Sequence, residues 1–183
     1  GVPFAQFLKV NSEFRYHYKI DKNQLIASRI AGGVIWSYGN ALAAPYTEQF
    51  YIGGANSVRA FSARNIGPGG YAPDKESKYS FINHVGDIRL EANVEYRFRI
   101  IGDLHGAVFL DAGNVWLMRK DDSRPNGEFS LKNFAKQIAL GTGAGLRYDM
   151  DFLVFRLDCG VGLHDPYETG KSGYYNIPKF KDS

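Results

Sequence analysis

Cysteine is nearly absent: Cys159 is the only one among 183 residues. An internal disulfide and a paired-cysteine redox or zinc site are therefore excluded. No run of about 18 apolar residues occurs, which removes a membrane-spanning helix from consideration. Nucleophile-elbow and phosphate-loop motifs are missing. The glycine-rich run Gly141-Thr142-Gly143-Ala144-Gly145 lies in a predicted strand without the helix that dinucleotide binding requires. His17, His84, His105 and His164 stand far apart, without metal-ligand spacing. The net charge of +3 is scattered, so nucleic acid is not an expected partner. The chain starts at Gly1 with no basic and apolar leader, as expected of a mature protein or a fragment. These absences point away from an enzyme and call for no cofactor and no metal.

Aromatics make up 15% of the chain and there are 21 glycines, a composition that favours strands and turns. From Gly86 to Ile100 the alternation is unbroken. Ile88, Leu90, Ala92, Val94, Tyr96, Phe98 and Ile100 share one face, opposite Asp87, Arg89, Glu91, Asn93, Glu95, Arg97 and Arg99. Successive strand side chains point to opposite faces, whereas a helix would scatter these charges all round. Gln6–Ile20 and Asp151–Leu163 alternate in the same way. Weaker alternation marks Leu25–Tyr38, Glu48–Gly53, Leu104–Trp116 and Lys136–Asp149, giving seven expected strands. Several exceed the five or six residues of a globular strand and suit a tilted membrane strand. Mean hydropathy of −0.30 is compatible with this, because an alternating barrel strand averages out polar.

The connections divide into two kinds. Ile101–Asp103 and Asp149–Asp151 read as tight turns, and Ala55–Asn83 and Leu117–Ala135 as long polar loops. Short turns at one end and long loops at the other describe an outer-membrane barrel. With seven strands the alternation is imperfect: Asp21–Asn23 is short on the long-loop side, and Gly39–Thr47 is long on the short side. The glycines of Lys136–Asp149 strip bulk from one face, as where another piece of chain approaches closely. Trp36, Tyr38, Tyr96, Phe98, Trp116, Tyr148 and Phe152 lie towards strand ends, where aromatics anchor to membrane interfaces.

The most distinctive stretch is Phe50–Phe61, in which Gly53, Gly54, Ser57, Val58, Arg59 and Phe61 open the long loop 54–83. With Phe109, Asp111 and Gly113 further on, it resembles the outer-membrane barrel-assembly superfamily. That group includes BamA-type insertases, TamA-type assembly factors and two-partner secretion transporters. Its loop pattern is roughly Gly-Gly-x-x-Ser-Val-Arg-Gly-Phe/Tyr, from which Ala60 departs, and its second motif is Phe-x-Asp-x-Gly. The resemblance implies that the loop folds into the barrel lumen and that Arg59 pairs with Asp111, which alternation places on the polar face.

It further implies that residues 1–183 form the C-terminal part of an antiparallel transmembrane β-barrel of about sixteen strands. Because Lys179–Ser183 lacks an apolar-alternating, aromatic-ended strand, the closing strand is expected to be missing. The implied activity is folding and insertion of barrel proteins into the bacterial outer membrane. Outer-membrane lipids, nascent barrel clients and accessory lipoproteins are the implied partners. The alternatives are a polypeptide translocator of the same superfamily, a plain porin or barrel enzyme, and a soluble β-sandwich binding module.

Overall fold

A computed structural model describes residues 6–39, 44–72 and 83–167. Loop residues 73–82 and the tail Lys179–Ser183 lie outside the described residues. Among the described residues six strands follow in chain order: β1 (Gln6–Lys19), β2 (Gln24–Tyr38), β3 (Ile88–Ile101), β4 (Leu104–Trp116), β5 (Ala139–Met150) and β6 (Leu153–His164). They form one antiparallel sheet, each strand beside its sequence neighbour. A short 3-10 turn, Phe134–Gln137, precedes β5. The register carries the alternation across the sheet, with Ile26 opposite Tyr96 and Val94 opposite Leu110. Residues of like polarity thus share a face from β1 to β6.

That sheet is inverted relative to a water-soluble protein. Val10, Phe14 and Leu157 on the apolar face are 55%, 66% and 65% exposed, while Glu91 and Asp111 on the polar face are 1% and 0% exposed. A contiguous exposed apolar face of this size needs a partner, and hydrocarbon supplies it without unsatisfied backbone groups once the strands are paired. Trp36, Tyr38, Tyr96, Tyr148 and Phe152 lie exposed near strand ends or in a turn, where interface anchors belong. Trp116 does not. It is fully buried, donates its Nε1–H to Gln137 Oε1 at 3.0 Å, and meets Phe129 edge-on. Loop 117–138 folds back over that end of β4, so the ring anchors the loop instead of the membrane.

The seventh expected strand, Glu48–Gly53, does not join the sheet. Phe50 makes one antiparallel bridge to Gly86, through bonds of 2.9 and 2.8 Å, and the chain then turns away at the glycine pair. Phe50 has its ring against Gly33 of β2, so its apolar side faces the inner wall and not lipid. Six strands also remove the irregularity in the connections. The links 20–23, 102–103 and 151–152 are short and lie at one end, and 39–87 and 117–138 are long and lie at the other. Inside the long-loop end sits a small apolar core of Ile35, Phe50, Ile52, Val58, Ile66, Val115 and Ala139.

Candidate functional site

The site is built by the segment between β2 and β3. Gly53 and Gly54 both have positive φ, 99° and 90°, and a side chain at Gly53 would run into the Ser62 carbonyl. Only glycine takes this course at no steric cost. The chain then closes on itself: Gly54 N donates to Phe61 O at 2.7 Å and Arg64 N to Ile52 O at 3.0 Å. Val58 is fully buried in the small core, which fixes the neighbouring Arg59 pointing towards the wall.

Arg59 meets Asp111 of β4 with its guanidinium fork. Nε donates to Oδ2 and Nη2 to Oδ1, both at 2.8 Å, and the Arg59 backbone N–H adds a third bond to Oδ2 at 3.0 Å. Its remaining nitrogen, Nη1, donates to Glu95 of β3. The guanidinium lies over the Phe109 ring at 3.6 Å from the centroid. The motif residues of β4 thus divide the work: Phe109 supports the plane, Asp111 takes the fork, and Gly113 gives room. A side chain at Gly113 would come within 2.8 Å of the Leu90 carbonyl and 3.3 Å of Glu91. Bidentate Arg–carboxylate pairing away from water is strong and directional.

A second attachment lies beside the first. Ser57 Oγ donates to Glu91 Oε1 at 2.6 Å and accepts from Gly53 N at 3.1 Å. Asn93 Nδ2 bridges Ser57 O and Asp111 Oδ1 at 2.8 and 2.9 Å. Behind Glu91, Arg29 of β2 holds Glu91 Oε2 at 2.8 Å and Glu13 of β1 at 2.9 Å. The loop is therefore tied through ion pairs to the first four strands.

On the other side, apart from Arg156 of β6, which donates to Ala55 O at 3.4 Å, the wall beneath Ala60 and Phe61 is bare. A side chain at Gly141 of β5 would collide with the Ala60 methyl, one at Gly160 of β6 would lie 3.0 Å from the Ala60 Cα, and one at Gly162 would lie 3.1 Å from the Phe61 ring. Ala60, where the family pattern has glycine, is accommodated because Gly141 faces it. Alternation alone marked Glu91 and Glu95 as inner-wall residues. It did not name Glu95 as a partner of Arg59, or Ser57 as a partner of Glu91. Their shared face was the only signal.

An antiparallel wall with an apolar exterior, a polar interior and an inward-folded loop defines a transmembrane β-barrel. The pattern of the Omp85 superfamily domain matches residues 4–175, and the chain belongs to that superfamily, whose members here are bacterial outer-membrane proteins. The outer membrane protein assembly factor BamA of Nitratidesulfovibrio vulgaris is 32% identical over 180 residues, covering 97% of this chain and 20% of its own length. The protein of the same name from Neisseria meningitidis serogroup B is 30% identical over 89 residues, covering 46% of this chain and 11% of its own. Among solved structures, BamA from Haemophilus ducreyi lacking POTRA domains 1–3 superposes with a TM-score of 0.69 at 19% identity, over 86% of this chain and 32% of that one. CdiB from Acinetobacter baumannii superposes with a TM-score of 0.54 at 19% identity, over 90% of this chain and 25% of that one. The chain thus spans about a fifth of the length of the first of these relatives.

Proposed function

We propose that the protein carrying this chain helps fold and insert β-barrel proteins into the outer membrane, with this chain as the C-terminal part of its barrel wall. The inward-folded loop, locked by Arg59 on Asp111 and Glu95, carries the reading. The names of the curated relatives support assembly as the task. In this reading the protein is not an enzyme: the driving force is the client's own burial of apolar surface and pairing of its strands. The latched loop keeps the wall rigid while clients, lipids and accessory lipoproteins act at its edges and periplasmic side.

The second reading is a translocator of the same superfamily, favoured by a recess of about 400 Å³ in the inner wall beside the loop tip. The test is Arg59→Ala, Asp111→Ala and the double substitution in the full-length protein. Levels of other folded outer-membrane barrels are followed in the cell, and heat-modifiable mobility reports the protein's own fold. Assembly requires the client barrels to fall while this barrel still folds. Unchanged client levels with a lost exported polypeptide would replace it with the translocator.

A further inference from the structure

Beside the latch, the inner wall carries a charge imbalance. Arg59, Arg97 and Arg147 all converge on Glu95. Arg59 Nη1 takes one carboxylate oxygen, while Arg97 Nε and Arg147 Nη2, the latter at 2.9 Å, share the other. Asp111 is the second acid of this group, so three guanidinium groups face two carboxylates. Neighbouring charges are balanced among themselves: Arg15 and Arg29 against Glu13 and Glu91, and Arg156 against Asp158. Within this ion-paired cluster of described residues one positive charge is in surplus, on Arg97 and Arg147, and the nearby Asp21 and Asp149 are matched by Lys19 and Lys22. The Nε–H of Arg147 is buried with no hydrogen-bond partner among the described residues. A buried, unsatisfied donor on a charged group is costly and calls for an acceptor.

Arg97 and Arg147 also line two recesses, the one at the loop tip and a larger one of about 800 Å³ towards the short turns. The larger recess is lined by Lys19, Lys22, Arg97 and Arg147 against the two carboxylates Asp21 and Asp149, with the apolar side chains of Leu25 and Val154 along it. A recess of this volume, with four cations to two acids and apolar stretches between them, fits a polypeptide segment better than a small ion. Bilayer lipids are confined to the opposite, apolar face of the sheet.

We propose that Arg97 and Arg147 form an anion subsite on the inner wall that takes a side-chain carboxylate of an acidic polypeptide segment entering from the short-turn side. Only the identity of that polypeptide as a client rests on the assembly reading. The exposed nitrogens of the guanidinium pair supply charge-assisted hydrogen bonds to the carboxylate.

The test uses the full-length protein in lipid nanodiscs and rhodamine-labelled octapeptides of alternating Gly-Asp, Gly-Asn or Gly-Lys, followed by fluorescence anisotropy. The acidic peptide is expected to bind, more weakly as salt rises, and the other two are not. Arg97→Gln and Arg147→Gln should each weaken binding about tenfold, the scale of one lost charge-assisted bond. Arg147→Lys retains charge and part of the affinity, and Arg124→Gln in the distant loop leaves binding unchanged. Heat-modifiable mobility confirms that each variant is folded. Equal binding of the neutral peptide, or unaltered binding in the folded Arg97→Gln/Arg147→Gln protein, overturns the subsite. Displacement by inorganic phosphate as readily as by the acidic peptide shows a small-anion site and likewise overturns the polypeptide assignment. Because no cell assay enters this titration, the assembly reading and the subsite can fail separately.

Discussion

The two halves of the inner wall receive one loop by opposite means. From β1 to β4 the loop is held by charge: Arg59 on Asp111 and Glu95, and Ser57 on Glu91 with Arg29 behind it. Against β5 and β6 it is held chiefly by the absence of side chains, with Ala60 and Phe61 seated on Gly141, Gly160 and Gly162 and one long bond from Arg156 to Ala55 O. Charge supplies direction, since a fork fits a carboxylate in few orientations, and the bare floor supplies only proximity. The charged half therefore sets which residues of the loop touch the wall, and the glycine half sets how closely they can approach.

The largest expected effect is on the charged half. Asp111→Ala leaves the Arg59 guanidinium buried with one acid fewer and should destabilise the barrel by about 3–5 kcal/mol. Arg59→Ala should cost a similar amount, and the double substitution much less than the sum, in denaturant unfolding of the full-length protein. Additivity would show that the fork is a bystander.

Next comes the floor. Gly141→Val overpacks against Ala60 and should cost about 1–3 kcal/mol by the same unfolding measurement. The smaller change Gly141→Ala should be relieved by Ala60→Gly, which moves the missing methyl from wall to loop. Failure of that rescue would mean that backbone freedom at Gly141, and not space, is what matters.

Ser57→Ala should cost about 1 kcal/mol, because Glu91 keeps its partner Arg29. Restriction of that loss to the loop, seen as faster amide exchange at Gly53 and Arg59 with the strands unchanged, separates the second attachment from the first.

The smallest effect is a pH response at the far end of the loop. His84 is buried, with Nδ1 on the Gly67 carbonyl and its ring 5.9 Å from Tyr71. Burial pushes its pKa below the usual histidine value, against the opposing pull of the Gly67 carbonyl. The unfolded segment then binds its proton first as pH falls. Stability from the neutral ring is complete above about pH 6.5 and is lost as pH drops from there through the lowered folded value. Amide protection factors at Gly69 and Gly70, with the intrinsic pH dependence of exchange divided out, should fall on acidification, and His84→Phe should flatten that dependence.

Much of this was legible in the chain. Period-two alternation placed Glu91, Glu95 and Asp111 on one face and Leu90, Val94 and Leu110 on the other, because strand geometry allows no other assignment. The row Gly141, Gly143 and Gly145 signalled a close approach without saying what approaches. Glu48–Gly53 misled: Phe50 and Ile52 alternate as a strand would, yet each sits in the small core under the long loop. A buried loop carrying apolar side chains has the local pattern of a strand, and only a tertiary partner separates the two. Trp116 misled for the same reason, since loop 117–138 covers it.

What the amino-acid sequence by itself determined is the two-faced sheet, the end at which the loops lie, and the identities of the arginine and aspartate in the latch. The first two follow from local rules of alternation and turn length, and the latch pair from the resemblance of its two motifs to the family pattern. The tertiary structure alone decided the number of strands among the described residues, the additional contact of Arg59 with Glu95, the seating of Ala60 on Gly141, and the surplus charge at Arg97 and Arg147. Each depends on residues dozens of positions apart meeting across the sheet, and no local rule sets such a distance.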